Sequence, residues 1–142
     1  MPMIYFSLQE ANELVQKIKS SVDRIIQLRD EIELLDNTKI EFDAKSIENM
    51  ILEIELNKNF HEKNLELYSL TGELIKKGCI IRELGTMEID FYSRFNRKDI
   101  VFCWRPEDEK ILYWHYLYED CKKRQPIKIV ERNYLEKLKE LR

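Results

Sequence analysis

The chain has 142 residues, 44% hydrophobic and 36% charged, with a formal net charge of -3. That is enough to bury one core without disulfides or metal, and the mixed signs with patterned apolar residues exclude general disorder. No apolar run approaches the roughly 18–20 residues of a membrane span, and neither half has the strongly basic balance of a nucleic-acid binder, because residues 1–78 carry 10 Lys+Arg against 15 Asp+Glu and residues 79–142 carry 14 against 12.

The first element in chain order is a long helix. Ser7-Leu-Gln-Glu10 has the form of a capping box, in which the Ser7 hydroxyl accepts from the Glu10 amide and the Glu10 carboxylate returns to the Ser7 amide. Leu8, Ala11, Val15, Ile18, Val22, Ile25 and Ile32 then recur at alternating steps of three and four, with Arg29 in the one polar slot. No Gly or Pro interrupts residues 7–35, so one helix is predicted there. Asp36-Asn-Thr-Lys is a break with local turn chemistry. A second helix is predicted from near Asp43 or Ser46 to Lys77, with Ile47, Met50, Ile51 and Ile54 on its early face and Leu65, Tyr68, Gly72 and Ile75 on its late face. Asn57 to Asn64 is less regular and reads as a bend. Lys76-Lys77 suit the negative end of the helix dipole, and Gly78 suits the left-handed position beyond it. Two such helices on a short connection make an antiparallel hairpin, with apolar seams on both sides that a coiled-coil partner helix would fit.

The aromatic residues concentrate later. Nine of fifteen fall between Phe91 and Tyr118. Segments 87–92, 100–104 and 111–117 are rich in β-branched and aromatic residues and read as strands. Asn96-Arg-Lys-Asp99 and Pro106-Glu-Asp-Glu109 punctuate them, and connections this short favour an antiparallel meander. Ile127-Lys-Ile-Val130 reads as an edge strand, and Leu135, Leu138 and Leu141 mark a C-terminal helix. The expectation is one α+β domain over 1–142: a helical hairpin at 7–77, a small antiparallel sheet of three or four strands within 79–130, and a short helix at 131–142.

Asp90, Cys103 and His115 fall one on each of the three predicted strands. Thiolate, imidazole and carboxylate are the ligand types of a transition-metal site, and in another arrangement a nucleophile, a base and its orienting group. Only residues on one sheet face can meet. With Trp104 opposite Ile111, Cys103 and His115 point to opposite faces, and a slip of one residue reverses that. The plainer reading is a core cysteine and a hydrogen-bonded histidine. The binding candidates on the aromatic sheet are Trp104, Trp114, Arg105 and Arg124, since aromatics beside arginines can stack unpaired bases. Asp99, Glu107, Asp108 and Glu109 in the same stretch argue against that use. His61 lies mid-helix without a histidine four residues on, so it forms no zincin motif. Lys122-Lys-Arg124, Lys128 and Arg132 form a basic run flanked by Glu119, Asp120 and Glu131.

Taken together, Tyr5-Phe6-Ser7-Leu8-Gln9-Glu10-Ala11-Asn12, a long helical hairpin, Gly78, Asp90-Phe91, Cys103-Trp104, Trp114-His115 and Arg124-Gln-Pro126 come in an order that resembles the bacterial and archaeal domain of unknown function 2203 family, from roughly Ile4 to Ile127. The resemblance implies a small cytoplasmic protein without an established activity. The chain departs from the family pattern after the histidine, where Tyr116 and Tyr118 stand at acidic positions and Asp120 and Lys123 at glycine positions.

No nucleotide-binding, hydrolase, zincin or EF-hand motif occurs, so no cofactor is expected beyond a metal ion on Asp90, Cys103 and His115. The N-terminus lacks the basic start and apolar stretch of a signal peptide. Three cysteines without a CxxC pair read as reduced thiols in a cytoplasm. The leading expectation is a non-enzymatic interaction or scaffold protein that forms homo-oligomers through its helices and presents the sheet or the basic run to a protein partner. Neither nucleic acid nor a membrane is expected as partner. The alternative is a metal-binding protein or small hydrolase-like enzyme using Asp90, Cys103 and His115, with Arg124 as an anion anchor.

Overall fold

The capping box forms as its sequence dictates. In the computed structural model of the protein, which describes residues 4–37, 46–128 and 130–132, the Glu10 amide donates to Ser7 Oγ and the Ser7 amide donates to Glu10 Oε1, both at 3.1 Å. Helix α1 runs Leu8–Asn37. Its inner stripe is Ala11, Val15, Ile18, Val22, Ile25 and Leu28, all fully buried. Arg29 leaves the stripe and donates to the carbonyls of Leu84 and Gly85 at 2.7 and 2.6 Å, tying the helix to a distant turn.

Helix α2 runs Ile47–Lys76 and stays helical through Asn57 to Asn64, where the sequence is less regular. Ser46 caps it, accepting from the Asn49 amide. Arg24 pairs with Glu66 at 2.8 Å and Lys63 with Glu31 at 2.5 Å, which fixes the antiparallel hairpin. The face that α2 turns inward is not the apolar series read from the sequence. Leu67 and Leu74 are buried, with Leu70 packed beside them. Ile47, Ile54, Leu65 and Tyr68 lie on the exposed side at 65–74% exposure.

The chain leaves α2 through Gly78 at φ +98°. A Cβ there would meet the Phe6 ring at 2.9 Å and Ile4 Cβ at 3.1 Å, so twist and space both select glycine. An antiparallel sheet follows in the order β1-β2-β3-β4-β5: β1 (Ile80–Glu83), β2 (Glu88–Phe95), β3 (Lys98–Trp104), β4 (Tyr113–Tyr116) and β5 (Gln125–Pro126). The fold is α+β, with five strands where three or four were expected. The added ones are the short edges β1 and β5. The strand expected at 127–130 does not form; the chain turns helical from Lys128. Ile127 and Val130, three apart, both reach the core, which is helical spacing. The helix expected from Leu135, Leu138 and Leu141 lies outside the described residues.

One sheet face, carrying Ile89, Phe91, Ile100, Phe102, Trp104 and Trp114, packs on the α1 stripe as a single apolar cluster. The N-terminal segment is clipped to β2: the Phe6 amide donates to the Tyr92 carbonyl at 2.7 Å, Ser93 Oγ donates to the Phe6 carbonyl, and the Phe6 ring meets Phe91 edge-on at 5.5 Å.

Candidate metal centre

The opposite face of the sheet should be wet in a two-layer fold, and here it is buried. Register decides which side chains it collects. Asp90 pairs with Cys103 and Tyr92 with Val101 across β2 and β3. Cys103 pairs with Tyr113 and Val101 with His115 across β3 and β4. Directly opposed residues share a face. Asp90, Cys103 and His115 therefore lie on one face, in the register one residue away from the Trp104–Ile111 pairing that would have separated them. Their exposures are 1%, 3% and 0%.

The sequence reading missed two members of this group. Glu88, two residues before Asp90, points the same way and is buried. Cys121 sits on a 3-10 turn, Cys121–Lys123, in the β4–β5 connection. Its thiol donates to Glu88 Oε1, and its sulfur lies 3.5 Å from that of Cys103. One ligand atom each from Cys103, His115 and Cys121 lies within 4.8 Å of the others, and the same holds for Glu88, Asp90 and Cys103. Cys103 is common to both sets. Arg82 on β1 forms an ion pair with the buried Asp90 carboxylate.

The histidine is oriented. His115 Nδ1 lies 2.8 Å from the Tyr116 carbonyl. A carbonyl only accepts, so Nδ1 carries a proton, and in the neutral imidazole Nε2 is the nitrogen with the lone pair. Nε2 is buried and, among the described residues, has no hydrogen-bond partner. Asp90 Oδ1 is likewise buried and unpartnered. Buried polar atoms of a native protein are rarely left so. A backbone carbonyl that accepts from the far nitrogen is a common partner of a metal-bound imidazole and fixes its orientation.

Charge is held back on the two thiols and on Asp90. Burial, with Asp90 and Cys121 beside it, pushes the Cys103 thiol far above its ordinary range. Burial and the Glu88 contact raise Cys121. Burial raises the Asp90 carboxyl and outweighs the opposing pull of Arg82 and His115. Cys79, away from the group, is pushed up to about 12 by burial, against the pull of Lys77. The free side chains are thus thiols with an acid that resists ionisation, a state that a cation would reverse.

The other sequence candidates are placed differently. Trp104 and Trp114 are core residues on the α1 face, with their indole N–H groups donating to the carbonyls of Asp108 and Pro126. Neither offers a ring face to solvent. Arg124 stacks over Tyr113 at 4.3 Å, and Arg105 is half-buried with Nε unpartnered among the described residues. His61 is exposed on α2. A shallow depression lined by Lys98, Asp99, Leu117 and Tyr118 includes no member of the buried group.

A helical hairpin laid on a five-stranded meander, with a thiol–imidazole–carboxylate layer on the far face, defines an α+β protein with one chemically distinctive locus. The chain belongs to the DUF2203 family, described as "Uncharacterized conserved protein", whose model matches residues 4–127. No curated protein and no solved structure matches it. Among the described residues no helix is long and apolar enough to cross a membrane.

Proposed function

We propose that the protein binds a thiophilic divalent ion of the zinc type, held by Cys103 Sγ, His115 Nε2 and Cys121 Sγ, with the Asp90 carboxylate, which groups with Cys103 and Glu88, moving in to complete the set. The observation that carries this reading is the buried, unpartnered Nε2 of His115 beside two thiols. The sulfur spacing agrees with it. Zn–S bonds of about 2.3 Å in a tetrahedron set the two sulfurs about 3.8 Å apart, and the sulfurs stand at 3.5 Å. A set of two sulfurs, one nitrogen and one oxygen favours zinc over magnesium or calcium. Asp90, Cys103 and His115 are fully buried and Cys121 is half-buried on its turn, a largely closed setting that favours a structural or regulatory ion over a hydrolytic one. A reducing cytoplasm, where the thiols persist, belongs to the same reading.

Elemental analysis of untagged protein purified without chelator, paired with cobalt(II) substitution, tests it. Wild type should carry near-stoichiometric metal and, with cobalt, show a thiolate charge-transfer band. His115→Ala and Cys121→Ser should lose both while keeping native circular dichroism. Wild type that takes up neither ion would sink the proposal.

A second reading concerns α2. Its exposed Ile47, Ile54, Tyr68 and Ile75 stand at multiples of seven residues, with Met50, Ile51 and Leu65 beside them. A seven-residue apolar repeat is shaped for another helix. The α1 stripe is already consumed by the sheet, so we propose that the occupant is α2 of a second copy.

A further inference from the structure

The two sulfurs of the centre differ in access. Cys103 is buried on β3, whereas Cys121 is half-buried on a three-residue turn. A disulfide needs an S–S distance of about 2.05 Å, roughly 1.5 Å less than the present gap. Cys121 can supply that movement because no strand ladder holds it. Its turn is anchored at its start by the Asp120 cap, with the Lys122 amide donating to Asp120 Oδ1 at 3.0 Å. Glu88, already accepting from the Cys121 thiol, is a proton acceptor placed beside the sulfur that would attack.

We propose that Cys103 and Cys121 form a reversible disulfide by exchange with a low-molecular-weight disulfide such as oxidised glutathione, and that this disulfide and the metal exclude one another. Cys121 passes its proton to Glu88 and its sulfur attacks one sulfur of the glutathione disulfide. That S–S bond breaks, and the departing thiolate takes up the proton from Glu88. Cys103 sulfur then attacks Cys121 sulfur, displacing the second glutathione, which leaves as a thiol with the Cys103 proton. Two protein thiols have lost two electrons and one small disulfide has become two thiols. The exclusion follows because the lone pairs that would bind the ion belong to the same sulfurs. That second half rests on the proposed metal site; the disulfide does not.

The test uses the full chain, chelator-treated, in oxidised glutathione, followed by alkylation and peptide mapping. Of the three thiols only Cys79 should remain, with the peptides of Cys103 and Cys121 linked. Cys103→Ser should trap glutathione on Cys121, and Cys121→Ser should react with neither sulfur. Three surviving thiols, or a linkage through Cys79, would overturn the proposal. In a parallel arm, saturating zinc should slow thiol loss at least about tenfold. Oxidation unaffected by zinc would overturn the exclusion and count against the metal site, leaving the disulfide standing on its own result.

Discussion

At the scale of the residue, Asp90 sets a pH dependence. Burial outweighs Arg82 and raises the Asp90 carboxyl from the ordinary Asp value. The folded chain therefore holds this proton more tightly than the unfolded chain does. The stabilisation is complete below the unfolded pKa and is lost as pH rises through the higher folded value. Urea unfolding of metal-free protein should show stability falling across the window just above the ordinary Asp value, and Asp90→Asn should flatten that limb. An unaltered limb in the variant would remove Asp90 as its source. The sequence named Asp90, Cys103 and His115 as a set but could not say that they meet, since a register shift of one residue turns a strand's side chains to the other face. Cys121 and Glu88 escaped notice for different reasons. Cys121 comes from an irregular turn with no periodicity, and Glu88 looked like one more surface acid until a thiol packed on it.

At the scale of the element, α1 was legible and α2 only partly so. α1 has a cap, an unbroken run and an apolar period, and each of these survives in three dimensions. In α2 the apolar period marks the face turned away from the protein's own core, while Leu67, Leu70 and Leu74 form the inner contact. Among the described residues that repeat is not used by the chain's own core, which is why a second copy is proposed to cover it. Sedimentation equilibrium should therefore show mass rising with concentration, and Ile47→Glu with Ile54→Glu should return the protein to monomer without loss of helicity. A monomer at every concentration would dismiss the seam as an interface. β1 and β5 were not legible, because four and two residues are too few to display alternation.

At the scale of the molecule, the central strands β2, β3 and β4 serve two layers at once. One face closes the α1 core and the other collects the candidate ligands. Removing the metal should weaken the whole fold in one transition. An ion at a thousandfold excess over its Kd stabilises by about 4 kcal/mol, so chelation should lower Tm by about 10 °C for a chain of this size. A Tm indifferent to chelator in protein shown to hold metal would confine the ion to a locally loose site.

The same architecture governs how the chain is made. Every strand of the meander pairs with its sequence neighbour, so the sheet can zip as it emerges. The stripe from Ala11 to Leu28 is synthesised first, yet its cover ends at Trp114 roughly 85 residues later, which at about 5–20 residues per second is a delay on the order of 4–17 s. For that interval α2 can cover part of the stripe, and the part that faces the sheet stays open to a nascent-chain chaperone.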